Sequence, residues 1–149
     1  MAKHVAKALV PVSGTSVDED AVALACDLVR HAKGTVIVLY VAIIPRSLPL
    51  DAEVPGETAK GERVLQQMER LGKSLKSKVE GEILQARELG PTMIDEAVQR
   101  KADLLVLGSP YLEHYGVPAL GDVVPYLLKY SPCPVLVYRD EQPAPVAVG

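Results

Sequence analysis

The sequence predicts a single α/β domain: an open parallel sheet of five strands, order 3-2-1-4-5, with helices on both faces. Three observations carry that prediction. Several short runs are apolar at almost every position, as in strands buried on both faces. These runs alternate with segments whose apolar residues recur at helical spacing. Gly, Pro and Ser clusters separate the two kinds of segment.

Val5 to Val12 is the first apolar run, and it ends at the turn Ser13-Gly14-Thr15. Asp18, Glu19 and Asp20 follow, acids suited to the positive end of a first helical turn. Ala21, Leu24, Ala25, Leu28, Val29 and Ala32 then repeat at helical spacing, and Gly34 reads as the stop. Thr35 to Ile44 is the second run, rich in β-branched residues. Residues 45–61 hold Pro45, Pro49, Pro55, Gly56 and Gly61 and read as a long mobile loop, either a functional lid or a tolerated surface excursion. Val64, Leu65, Met68, Leu71, Leu75 and Val79 mark one apolar stripe on a long second helix.

Glu82 to Arg87 reads as a short third strand. Gly90-Pro91 opens a third helix through Ile94, Ala97 and Val98, with Pro in the first turn where its missing N–H costs little. Asp103 to Leu107 is a fourth strand ending at Gly108-Ser109. A loop leads to Gly121-Asp122 and a fourth helix from Val123 to Lys129. Pro134 to Tyr138 is the last strand. The domain is expected to span residues 1–140, with 141–149, rich in Pro and Ala, as a disordered tail.

Five strands alternating with helices imply right-handed crossovers and a parallel sheet covered on both sides. The flavodoxin-like, Rossmann-like order is the simplest such arrangement. Its switch point lies between the first and fourth strands, and ligands of such sheets bind there, at the carboxyl ends. The segments to read for function are therefore Ser13 to Thr15, Tyr40 to Ile44, and Gly108 to Asp122.

Composition narrows the function classes. A chain of 149 residues buries roughly two-thirds of its unfolded surface and needs neither disulfide nor metal to fold. Apolar residues make up 48%, but aromatics only 4%, all of them Tyr, so Val, Leu, Ile, Ala and Met must build the core. The net charge of −3 and pI of about 5.6 offer nothing overall to a nucleic-acid backbone. Cys26 and Cys133 fall in different elements and read as small buried side chains, and no convergent ligand set suggests a metal. No apolar run approaches the ~20 residues of a membrane span. The opening Met-Ala-Lys-His shows no signal-peptide pattern. The expectation is a cytoplasmic protein with no nucleic-acid and no membrane partner.

One set of motifs is more specific. Ala102-Asp103-Leu104-Leu105-Val106-Leu107-Gly108-Ser109, then Gly121, then Ser131-Pro132-Cys133-Pro134-Val135-Leu136-Val137-Tyr138-Arg139, resembles the C-terminal half of universal stress proteins. Gly90-Pro91 with Ile94, and Pro11-Val12-Ser13-Gly14-Thr15, fit the same family. The resemblance covers roughly residues 3–139. It implies a regulatory or binding protein of stress response, and many members bind ATP or a related adenine nucleotide. Their motif is a glycine, two residues, a glycine, nine residues, a glycine and then Ser or Thr.

Here the spacing persists and the chemistry departs. Gly108 and Gly121 match the first and third glycines, Tyr111 stands at the second, and Asp122 at the Ser or Thr. Ser13 replaces the acid that members place after the first strand. Tyr111 disfavours the close backbone approach a glycine allows. Asp122 is a good N-cap whose carboxylate competes with phosphate for the helix end. At 4 Å, two unit charges repel by about 4 kcal/mol at an effective dielectric near 20. Pro125 removes a further N–H donor, and residues 110–120 contain no Lys or Arg, only His114.

The candidate cleft is therefore Ser13, Val41, Gly108, Ser109, Tyr111, Gly121 and Asp122, with weak or absent ATP binding. No cofactor is expected. An adenine-nucleotide sensor that takes ATP or AMP through a modified phosphate loop is the alternative, because backbone contacts such as those at Val41 need no phosphate. Tyr111, Leu112, Tyr115, Val117, Pro118 and Leu120 make an apolar segment at this edge. It reads either as a surface for an apolar partner or as a plug of the vacated cleft.

Catalysis is not expected. No Ser or Cys is tied to His4, His31 or His114 by a recognised motif. A phosphotransfer receiver would need acids and a Lys where Ser13, Glu88 and Arg139 stand. The last strand, Val135, Leu136, Val137 and Tyr138, is expected at a sheet edge, where the resemblance implies a homodimer.

Overall fold

The computed structural model describes residues 4–109, 113–114, 117–118 and 123–141. The main sheet comprises β1 (Lys7–Val12), β2 (Thr35–Ile43), β3 (Lys78–Ala86), β4 (Leu104–Ser109) and β7 (Val135–Arg139), in the order β3-β2-β1-β4-β7. Every neighbouring pair is parallel. This is the expected 3-2-1-4-5 order. A short antiparallel pair, β5 (Glu113–His114) and β6 (Val117–Pro118), interrupts the connection after β4, where only a loop is expected from sequence.

Helices α1 (Asp18–Arg30) and α2 (Pro55–Ser74) cover one face, and α3 (Leu89–Arg100) and α4 (Val123–Tyr130) the other. Period-two alternation explains why β1 is apolar throughout. Ala8, Val10 and Val12 face α1 and α2, while Leu9 joins the cluster under α3 and α4. Cys26 is buried in the first cluster and Cys133 packs beside the second, both as free thiols. No described helix is long and apolar enough to cross a membrane.

Three boundaries depart notably from the sequence expectation. Residues 45–61 are not one loop, because α2 begins at Pro55 and contains Gly56 and Gly61. Gly61 is a contact point: a Cβ there would lie 2.7 Å from Tyr40 Cδ1. The preceding segment is tied down, since Gln85 Nε2 donates to the Ala52 carbonyl at 2.6 Å and Arg87 Nη1 to that of Pro45 at 2.5 Å.

Val79 belongs to β3, not to the second helix, and β3 starts at Lys78. The strand lies at the sheet edge and alternates exposed Lys78, Glu80 and Glu82 with half-buried neighbours, so it lacks the continuous apolar signal of the inner strands. Gly34 is not the residue that turns α1. Lys33 takes the left-handed conformation at φ 51°, and Gly34 is required because the Ala6 carbonyl oxygen would lie 2.2 Å from its Cβ. Of the expected tail, 141–149, residues 142–149 lie outside the described residues.

Candidate functional site

The switch-point crevice is set by how the strands separate. β1 and β4 pair at Ala8–Leu104 and Leu9–Leu105, with no ladder pairing beyond. β2 and β3 stay paired to Ile43–Ala86, past the last β1–β2 pair at Val12–Tyr40. The carboxyl ends of β1 and β4 therefore lie below an overhang formed by β2.

The β1–α1 turn closes over this edge around one carboxylate. Asp18 Oδ2 accepts the backbone N–H groups of Ser13 at 3.3 Å, Gly14 at 2.7 Å and Thr15 at 3.1 Å, and the Thr15 hydroxyl donates to Oδ1 at 3.1 Å. Gly14 at φ 90° makes the turn possible, since few L side chains tolerate that backbone. Successive N–H groups converging this way form an anion-binding concavity, and here the anion is the chain's own side chain. Asp18 is only 5% exposed. Burial pushes its carboxyl above the usual carboxylate range, against the pull of its four hydrogen bonds.

Beside the turn lies a cavity of about 340 Å³ lined by Gly14, Thr15, Ser16, Asp18, Glu19, Gln67 and Met68. Gln67 Nε2 donates to Glu19 Oε1 at 2.5 Å across its rim. The exposed Lys60 brings its ammonium to 3.9 Å from where a Cβ on Gly14 would stand. On the opposite face a smaller cavity of about 290 Å³ lies between the starts of α3 and α4, lined by Glu88, Leu89, Gly90, Pro91, Val123 and Tyr126.

The positions singled out by sequence are only partly assembled here. Ser13 is exposed and contributes its N–H to Asp18. Val41 is half-buried and packs into the cluster under α3 and α4. Gly108 has a packing reason of its own: a Cβ would lie 3.1 Å from Val17 Cγ1 and 3.1 Å from Ala21 Cβ, so the glycine admits the start of α1 onto β4. Ser109 is buried, and its carbonyl accepts the Asp140 N–H at 2.9 Å. Tyr111, Gly121 and Asp122 lie outside the described residues, as do the side chains of the apolar segment 110–120. Pro125 stands in the first turn of α4, as expected.

Asp18 is the residue of this turn that the sequence undervalues, where it reads as a macrodipole acid. Its spacing held the signal: an acid three residues after Ser13-Gly14-Thr15 can reach back to the turn's N–H groups. Among the described residues no group of three or more His, Cys, Asp or Glu is placed to hold a metal ion. At the sheet edge, β7 pairs with β4 alone among the described residues. There Leu136 is 36% exposed and Val135, Val137 and Tyr138 are half-buried.

An open parallel sheet with its crevice at the β1 and β4 carboxyl ends defines a doubly wound α/β domain. The model of the universal stress protein family matches residues 4–139, and the chain belongs to that family. Universal stress protein MJ0531 of Methanocaldococcus jannaschii is 24% identical over 139 residues, covering 89% of this chain and 81% of the relative. A universal stress protein solved in complex with cAMP superposes with a TM-score of 0.72 at 18% identity, covering 93% of this chain and 100% of that one. That of Archaeoglobus fulgidus in complex with dAMP does so at 0.72 and 14%, covering 91% and 98%. At these identities the two structures establish the shared fold.

Proposed function

We propose that this chain is a stress-response regulatory or binding protein of the cytoplasm. It acts as a homodimer, performs no catalysis, and binds ATP weakly or not at all. The observation that carries the reading is the Asp18 carboxylate seated on the Ser13, Gly14 and Thr15 N–H groups. Donors that would otherwise face an incoming anion are already taken, and a polyphosphate nearby meets a buried acid. Repulsion of about 4 kcal/mol per charge pair at 4 Å and a dielectric near 20 outweighs a typical neutral hydrogen bond of about 1 kcal/mol. Tyr111 and Asp122 in the motif point the same way, as does Pro125 at the start of α4.

Homodimerisation is supported by β7, an edge strand with Leu136 exposed. An apolar edge is stable in solution when covered or paired.

A second reading is favoured by one observation. Lys60 stands beside Gly14 and supplies charge suited to a single phosphate. The relatives solved with cAMP and dAMP each hold a ligand with one phosphate. In this reading the chain senses an adenine mononucleotide of the AMP class.

Isothermal titration with ATP, AMP and adenosine separates the readings. The first expects no heat from ATP at micromolar concentrations, and the second expects AMP to bind more tightly than ATP. Micromolar affinity for ATP overturns the first, and ATP binding as tightly as AMP overturns the second. A thermal scan gives an independent reading, since a ligand at 100 times its Kd adds about 2.7 kcal/mol of stability.

A further inference from the structure

We propose that the amino edge of the sheet is a docking face for an anionic lipid surface. Each helix runs antiparallel to the strands, so all four helix-to-strand turns gather at that edge. Three of those turns are built alike. The outer bonds run from the Gly34 N–H to the Val29 carbonyl at 2.9 Å, Ser77 to Gly72 at 2.9 Å, and Ala102 to Ala97 at 3.0 Å. The inner bonds run from Lys33 to Arg30 at 3.0 Å, Lys76 to Lys73 at 3.1 Å, and Lys101 to Val98 at 3.2 Å.

Each turn places one residue in the left-handed region that normally selects glycine. In all three cases that residue is lysine, with φ of 51° at Lys33, 55° at Lys76 and 54° at Lys101. A side chain is strained there, and the chain accepts it three times at the same edge. Attraction between lysine and a helix C-terminus accounts for a charge near the turn. It does not require the one position where a Cβ is penalised.

Lys129, in the last turn of α4, completes the row. Across the order β3-β2-β1-β4-β7, Lys76, Lys33 and Lys101 stand just before β3, β2 and β4, and Lys129 lies at the end of the helix that leads into β7. With strands about 4.8 Å apart the row is on the order of 20 Å long. All four are exposed, and none forms an ion pair among the described residues.

Several acids near this edge are already engaged. Asp27 pairs with Arg30, Glu80 with Lys78, and Glu82 and Glu96 with Arg100. Asp103 accepts the N–H groups of Ala6 and Lys7. The first-turn acids Asp18, Glu19, Asp20 and Glu57 lie at the opposite edge. The net charge of −3 therefore conceals a separation of charge. The expectation of no membrane partner rested on the lack of an apolar run long enough to span a bilayer, which does not bear on docking at its surface, and the proposal departs from it.

Apolar side chains choose lipid over nucleic acid. Leu28 at 39%, Val98 at 58%, Leu128 at 58% and Tyr130 at 52% stand exposed in the last turns of α1, α3 and α4. Lys129 Nζ lies 5.2 Å from the Tyr130 ring centre. Leu and Val neither stack on bases nor read their edges, and lysine is a point charge without the planar fork of arginine. Lysine with Leu, Val and Tyr is the combination an anionic headgroup region accepts.

The test is co-sedimentation of the full chain with phosphatidylcholine vesicles, with and without phosphatidylserine. Binding is expected only with phosphatidylserine and only at low salt. The triple variant Lys33→Gly, Lys76→Gly and Lys101→Gly keeps turns that suit glycine, so its fold should persist. Its vesicle affinity should fall roughly 100-fold, the product of three lysines near the surface. Equal binding to both vesicle types, or a triple variant that binds like the parent, overturns the proposal. So does a DNA duplex bound more tightly than the vesicles at the same salt.

Discussion

The Tyr40 hydroxyl donates to Glu57 Oε2 at 2.8 Å, joining the end of β2 to the first turn of α2. Tyr40 is 3% exposed, and burial together with the Glu57 charge pushes its phenol up to about 12. The unfolded phenol ionises near pH 10, so the native state binds the proton more tightly. Stability from this group is complete below pH ~10 and is lost as the pH climbs towards ~12, by up to roughly 3 kcal/mol at about 1.4 kcal/mol per unit. Denaturant midpoints measured across that window should fall more steeply for the parent than for Tyr40→Phe. Parallel curves would remove the claim.

Asp18→Ala strands the N–H groups of Ser13, Gly14 and Thr15. Urea unfolding should show a loss of about 1–2 kcal/mol, as for other capping side chains. Because the folded carboxyl titrates above its ordinary value, this group's contribution is fullest in acid and is lost as pH rises through the folded pKa. Asp18→Asn should flatten that slope. It should also tighten any ATP binding measured by titration, since it removes the repelling charge.

Two glycines of α2 should respond oppositely to alanine. A Cβ on Gly72 would lie 2.4 Å from Val79 Cγ2, while one on Gly56 meets nothing within 4 Å. Gly72→Ala is expected to destabilise by about 1–3 kcal/mol through overpacking. Gly56→Ala should be neutral or stabilising by up to about 1 kcal/mol, through helix propensity. Thermal midpoints of the two variants should straddle that of the parent.

Lys33→Gly, Lys76→Gly and Lys101→Gly should each raise stability by about 1 kcal/mol, because glycine relieves the left-handed strain. The gain should persist at high salt, where loss of the lysine–helix attraction matters less. A loss of stability on each change would show that the turns are not strained.

Leu136→Lys places a charge on the exposed apolar position of β7. Sedimentation equilibrium at micromolar concentration should report a dimer for the parent and a monomer for the variant. A monomeric parent would remove the edge-pairing reading.

What could be read in advance follows from periodicity. β1, β2 and β4 are covered on both faces, so their apolar runs are continuous and were legible. β3 sits at the edge, alternates Lys and Glu outward, and was read four residues short at its start. Pro55, Gly56 and Gly61 carried a loop signal because breaker residues are weighed by local propensity, whereas Gly61 is demanded by the Tyr40 ring. The nucleotide motif was legible as spacing. That Gly108 also admits α1 onto β4 depended on a helix ninety residues earlier in the chain.

By itself, then, the order of residues determined the alternation of elements, the strand order and the family, because hydrophobic period and turn chemistry are local properties. Only the tertiary structure decided that Asp18 fills the first turn, that three lysines take left-handed positions along one edge, and that several acids beside them are spent on other partners. Those outcomes depend on which groups meet across space, and spacing along a chain does not encode the distance between elements it later brings together.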